Sequence, residues 1–216
     1  MAKRRKVDNL LGLAVLALAV ERPMHPYEMA TLLRERGKDQ SIEIKWGSLY
    51  TVVRNLERHG FLEATETTRA GGRPQRTVYR ATDAGRAEMV DWLRELVGTP
   101  QREYPRFEAA LSLLPGLPPD EARLLLAERL ATLQASIRRA EAELAGHATR
   151  VPRLFLIEAE YHLARQRAEA DWVRSLLAEL ADRSLPGLEI WRRFHETGEV
   201  PPELSGRQGE EGMPPE

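Results

Sequence analysis

Cysteine is absent from the 216-residue chain, which excludes disulfides and thiolate metal sites outright and suits a reducing compartment. Aromatic residues are scarce at 6%, while Leu, Ala, Glu and Arg dominate, a balance that favours a mostly helical protein. No apolar run reaches the roughly 18 residues needed to cross a bilayer. The chain also lacks Gly-x-Ser-x-Gly, a P-loop and a dinucleotide fingerprint. His25, His59, His147, His162 and His195 are scattered, and Glu158 with His162 on one helical face supplies two ligands, too few for a metal site. No nucleophile–base pair stands out. The expectation is a protein with no catalytic, cofactor or metal site.

What is present is unevenly distributed. Residues 1–92 carry 16 Lys/Arg against 12 Asp/Glu, and all four lysines (Lys3, Lys6, Lys38, Lys45) fall there. Residues 93–216 hold 16 Arg against 21 Asp/Glu, so a basic front half is joined to an acidic back half. That division suggests two tasks, the first facing a polyanion.

Hydrophobic spacing supplies the elements. Asp8 or Asn9 can cap a helix from about Leu10 to Glu21, which ends before Arg22-Pro23. A second helix fits PYEMATLLRERG, with Pro26 in its first turn and Gly37 as its stop. A third fits GSLYTVVRNLERHG, opened by Ser48 and closed by Gly60. FLEATETT and QRTVYRAT alternate as strands around the turn RAGGRP, and Thr82 or Asp83 caps a fourth helix through Val97. The fold class is mainly α with a small β-hairpin wing: a winged helix-turn-helix followed by a long-helix dimerisation domain. After a break from Thr99 to Pro105, a long helix from Pro118-Pro119-Asp120 to about Ala145 carries a seam of Leu126, Leu130, Leu133, Ile137, Ala140 and Leu144. GHATRVP interrupts it, and a second long helix runs from Pro152 to about Asp182. Its apolar stripe is Ile157, Tyr161, Ala164, Ala168, Trp172, Leu176 and Leu180. The two should lie antiparallel, with seams that can pair with each other or with a second subunit. The expected domains are 1–97 for DNA binding, 105–197 for dimerisation and a possible effector, and 198–216 as a disordered Gly/Pro/Glu-rich tail.

The third helix holds the chemistry. Leu49, Val52, Val53 and Leu56 fall at i, i+3, i+4 and i+7 and form its buried stripe. A rotation of 100° per residue puts Thr51, Arg54 and Arg58 opposite, with Tyr50 and Asn55 at the flanks. Arg can fork onto guanine and Asn onto adenine, while Thr and Tyr reach phosphate. A solvated helix face would show the same residue types, and only the hairpin and the basic front half tip the balance to DNA. Lys45 and Ser48, at the helix start, join these as DNA-binding candidates. On the hairpin turn Arg69, Arg73 and Arg76 flank Gly71-Gly72 and Pro74, and a rigid loop bearing arginines suits a minor groove. Arg73 and Arg76 are the candidates there.

Three stretches, LGLAVLALAVERPMHPYEMATLL, GSLYTVVRNLERHGFLEA and GGRPQRTVYRATDAGRAEM, cover nearly all of residues 10–90 and resemble the PadR family of bacterial transcriptional regulators. The resemblance implies a winged-helix dimer that represses genes; a two-fold homodimer should read an inverted-repeat operator in double-stranded DNA, and keeping the first helix would hold the protein in the cytoplasm. It also implies a small-molecule effector in some members. Pro26 stands where Gly is usual, and Thr51-Val52 replaces a common Pro-Leu pair. Thr51 lies on the reading face, so operator sequence cannot be borrowed from relatives.

The opening MAKRRKVDNLLGLAVLALAV also outlines a secretory signal peptide, with a basic cluster before an apolar run. Removing it would strip the second and third helices of their cover. Leu10 to Val20 is therefore read as a buried helix, apolar all round because it packs between the winged-helix core and the second domain. Lys3, Arg4, Arg5 and Lys6 are then a flexible phosphate-seeking arm or a frayed terminus. Trp92, Trp172 and Trp191, with Tyr104, could line a pocket. Trp172, with Ala168 one turn before it, is the candidate slot for a small planar effector, although interlocking with a facing helix gives the same pattern. A helical protein-interaction module is the competing function. Such a module should show apolar residues where Thr51, Arg54 and Arg58 stand.

Overall fold

The structure is a computed structural model that describes residues 5–68 and 76–199, without the side chains of Gln40, Trp46, Glu66, Thr67, Thr68 and Arg76. It divides into two compact units at residues 103 and 104.

The first unit is a winged helix-turn-helix built around α1 (Leu10–Glu21). The Asn9 side chain caps this helix by accepting from the Leu11 amide at 2.8 Å. Leu11, Val15, Leu16 and Leu18 are buried by α2 (Pro26–Glu35), α3 (Trp46–Arg58), β2 (Arg76–Ala81) and α4 (Asp83–Gly98). The nearly all-round burial of α1 is thus met by its own unit, and cover from the second domain is not required. Leu49, Val52, Val53 and Leu56 of α3 are buried as their spacing predicts. The helix starts earlier than Ser48, however. Lys45 is its N-cap residue and accepts the Ser48 and Leu49 amides through its carbonyl, with no side-chain cap.

Two small features fix the wing. Strand β1 (Leu62–Thr68) pairs antiparallel with β2, with a bulge between Ala64 and Glu66. Met24 then adds one rung, exchanging backbone hydrogen bonds of 3.0 Å with Tyr79 in both directions. At the α3–β1 corner Gly60 takes a φ of 75°, a left-handed conformation that glycine adopts without strain. Thr82 caps α4 through its hydroxyl, which accepts from the Gly85 amide and donates to the Gly60 carbonyl at 2.6 Å. A Cβ on Gly85 would lie 2.1 Å from the Phe61 carbonyl oxygen, so only glycine lets α4 close on this corner.

The second unit is all helix among the described residues. It comprises α5 (Arg106–Ser112), α6 (Pro119–Ala148), α7 (Ile157–Ala181) and α8 (Leu188–Thr197). Pro152 opens a short 3₁₀ turn at Arg153–Phe155 before α7 begins. Arg129 bonds Glu169, and Gln166 donates to Ser136 at 2.9 Å, so residue numbers rise along α6 as they fall along α7, as antiparallel neighbours must. Leu126 is buried in this seam, and Leu130, Leu133, Ile137, Ala140 and Leu144 are half-buried along it. On α7 most of the expected stripe is not the face that meets α6. The residues turned inward are Leu163, Ala170, Val173 and Leu180, while Ile157, Tyr161, Ala164, Ala168 and Trp172 are exposed. Both sets recur at heptad-like steps, and from the expected stripe Leu180 is buried on the inner face and Leu176 is half-buried against the same cluster. Helix α8 closes the base of the hairpin: Leu188 and Trp191 are buried, and the Trp191 indole donates to the Leu117 carbonyl at 2.8 Å.

Candidate nucleic-acid interface

Helix α3 presents the candidate reading face because its other side is committed to the core. Tyr50, Thr51, Arg54 and Arg58 are exposed, and Ser48 and Asn55 are half-buried at one edge. The Thr51 hydroxyl donates to the Gly47 carbonyl at 3.3 Å and keeps its lone pairs outward. Lys45 is exposed beside Glu43, with which it forms an ion pair of 2.8 Å. Arg54 and Arg58 form no ion pair with any described residue. Two mobile guanidinium groups free of carboxylates, on a helix anchored by four buried aliphatic residues, can hydrogen-bond acceptors of an incoming polyanion.

The face has two distinct flanks. On the side of Arg54 and Glu57 stands half-buried Tyr79 of β2. Its hydroxyl is pushed above the ordinary tyrosine range by burial, reinforced by the Glu57 carboxylate and opposed by Arg54. It therefore stays a neutral donor near the reading helix. On the side of Ser48, Thr51 and Asn55 runs the segment Arg5–Asn9. The two border a concavity of about 350 Å³ lined by Lys6, Asp8, Asn9, Ser48, Thr51 and Asn55. Neither flank is legible from the pattern of α3, since Tyr79 and Lys6 arrive from distant parts of the chain.

The remaining candidates do not converge on this face among the described residues. Arg69 and Arg73 lie outside the described residues, and Arg76 is placed by its backbone in β2 with no side chain described. Trp172 and Ala168 sit in the second unit on the exposed face of α7, where Trp172 meets Phe107 edge-on at 6.2 Å and 81°. Trp92 is buried in the first unit, Trp191 is buried at the base of the second, and Tyr104 is exposed. Among the described residues no three acidic or histidine side chains are grouped to hold a metal ion, and no helix is long and apolar enough to cross a membrane.

The first unit is thus a winged helix-turn-helix whose third helix is free to meet a polyanion, and its likeness to known proteins narrows the class. Residues 15–91, most of the winged-helix unit, match the transcriptional regulator PadR-like family. A curated relative in Mycobacterium tuberculosis, named "Probable transcriptional regulator Rv1176c", is 34% identical over 86 residues. The match covers 38% of this chain and 42% of that relative, so the chain matches about two-fifths of its length. Bacillus subtilis PadR in complex with operator DNA is 23% identical and superposes with a TM-score of 0.64, over 80% of this chain and 99% of that one. The same protein in complex with p-coumaric acid gives 19% identity and a TM-score of 0.66 over the same shares. These superpositions carry the likeness of fold well beyond the 77 residues of the family match.

Proposed function

We propose that the chain is a sequence-specific DNA-binding transcriptional regulator acting in the cytoplasm as a homodimeric repressor. The observation that carries this reading is the face of α3, where Thr51, Arg54 and Arg58 stand exposed opposite the buried Leu49, Val52, Val53 and Leu56. Those side chains suit base edges and phosphates and do not suit an apolar protein partner. Lys45, Ser48, Tyr50 and Asn55 border the same contact, and Arg73 and Arg76 of the wing reach backbone or minor groove. Residues 1–97 form the reading head and 105–197 the dimerisation and effector domain. The DNA-bound structure of the B. subtilis protein supports the first role, and its p-coumaric acid complex supports a small planar ligand, for which Trp172 and Ala168 are our proposed site and relief of DNA binding our proposed effect. A two-fold dimer reads an inverted repeat with half-site centres roughly 34–36 Å apart.

The test is a mobility-shift titration against the DNA immediately upstream of the chain's own gene, at several salt concentrations. Arg54→Ala should cost about 1–3 kcal/mol on the preferred sequence and relax preference at one base pair per half-site. Arg73→Ala should weaken operator and scrambled DNA alike. Equal loss on both sequences for Arg54→Ala would remove α3 as the reader.

A further inference from the structure

The basic segment before α1 is not uniformly free. The Arg5 guanidinium is 4% exposed and bonds three carboxylates of α4: Glu88 at 2.6 Å, Asp91 at 3.3 Å and Glu95 at 2.5 Å. It also lies over the Trp92 ring, 5.3 Å from the centroid. Two residues on, buried Val7 packs against Gly12, where a Cβ would stand 2.9 Å from the valine methyl. Asn9 then caps α1. The anchors at residues 5, 7 and 9 alternate along the chain with Lys6 and Asp8, which are exposed.

That alternation has a consequence for the reading face. Lys6 is exposed, forms no ion pair with a described residue, and lines the concavity that Ser48, Thr51 and Asn55 close from α3. Arg5 is folded away from solvent and is not a phosphate-seeking side chain. A lysine on an untethered arm loses rotamer and backbone freedom when it meets a phosphate, whereas a pinned segment has already lost most of the latter. The segment lies before residue 15, where the family match begins.

We infer that Lys6 holds a DNA backbone phosphate beside the Ser48–Asn55 edge of α3, and that buried Arg5 is the positioning residue that sets it there by locking the segment to α4. This rests on the DNA-binding reading above. Asp8, lining the same concavity, opposes the phosphate and limits the strength of the interaction.

The experiment uses the full chain and two duplexes, the upstream DNA and a scrambled sequence of equal length, titrated from 50 to 200 mM salt. Lys6→Gln should weaken both duplexes and flatten the slope of log K against log salt by about one unit for each phosphate it no longer neutralises, a change of about 3.5-fold across that salt range. Asp8→Asn should tighten both. Arg5→Gln should reproduce the Lys6→Gln slope, and the double variant should weaken binding no further, because Arg5 acts through Lys6. Arg5→Lys, checked for folding by circular dichroism, should fall between wild type and Arg5→Gln. Wild-type binding with an unchanged slope in Lys6→Gln overturns the phosphate role of Lys6 and leaves α3 as reader. Additive effects in the double variant overturn the positioning role. A wild type that binds neither duplex overturns both this inference and the DNA-binding reading.

Discussion

The two compact units bury their apolar residues to very different depths. Of the largest side chains with almost no exposure, Leu11, Val15, Leu16, Met24, Met29, Leu49, Val53, Leu56 and Leu62 belong to the first unit and Val173 to the second. Conversely Leu113, Leu124, Leu125, Leu154, Phe155, Ile157, Tyr161 and Trp172 leave much of their surface exposed in the second. A head of four helices and a wing encloses a core from several directions, but a helical hairpin has one inward face per helix. Apolar residues on the outer faces of α6 and α7 are surplus to that hairpin. The head also leaves Leu10, Tyr27, Tyr50, Val90, Leu93 and Val97 exposed, but the second unit leaves more of its large apolar side chains uncovered around a shallower core.

The largest effect that tests this contrast is loss of core. Leu56→Ala, at a fully buried position of α3, should cost the head about 2–5 kcal/mol. Leu177→Ala, half-buried on α7, should cost less than half as much. Urea melts followed by far-ultraviolet circular dichroism measure both. Equal losses would mean that the second unit is packed as tightly in solution as the head.

The next test concerns the outer face of α7. If a second copy covers it, light scattering should give about twice the 24.5 kDa chain mass. Tyr161→Glu with Trp172→Glu should return the single-chain mass while leaving helix content unchanged, since both side chains point away from the hairpin seam. Truncation after Val97 should also abolish the dimer. A dimer that survives both changes would place the interface on the head.

The same contrast explains what was legible from the residues alone. The stripe of α3 could be read because its i, i+3, i+4, i+7 spacing has one apolar face and one polar face. Helix α7 has two apolar faces, and periodicity cannot say which one meets α6. Tyr161 and Trp172 share one apolar stripe of α7, yet Ala170 and Val173 of the other fill the inner face. Arg5 was illegible for another reason. Its partners are 83 to 90 residues away, and a run of four basic residues gives no sign that one of them is folded inward. Helix α8 closes the base of the second unit through Trp191 and Leu188, in packing that no local pattern specifies.

A smaller effect is expected at Trp172. Because this indole is 48% exposed and meets Phe107 edge-on, a planar phenolic acid added to the protein should quench its fluorescence. Trp172→Phe should abolish the quenching and Trp191→Phe should retain it, since Trp191 is buried against Leu117. The accompanying loss of operator affinity should be about 1–3 kcal/mol, a typical coupling between two sites. Quenching that persists in Trp172→Phe would move the ligand elsewhere.

The smallest effect is electrostatic and again differs between the units. In the head, Arg36 bonds both oxygens of Glu21 at 2.6 and 2.8 Å, joining the ends of α1 and α2. The guanidinium holds the Glu21 carboxyl below its ordinary value, with partial burial opposing the shift. A carboxyl whose folded pKa is depressed contributes stability that is complete above its unfolded pKa and is lost as pH falls through the folded one. Both side chains are nearly half exposed, so solvent screening keeps the contribution below about 1 kcal/mol. In the second unit Arg153 lowers Glu160 in the same sense, but Arg153 is far more exposed than Arg36. Glu21→Gln should therefore lower the urea midpoint of the head slightly at neutral pH, with the gap to wild type closing as pH falls through the acid range. Glu160→Gln should open a smaller gap that closes in the same direction. If Glu160→Gln costs as much as Glu21→Gln, exposure is not what separates the two pairs, and the outer surface of the second unit is covered in solution.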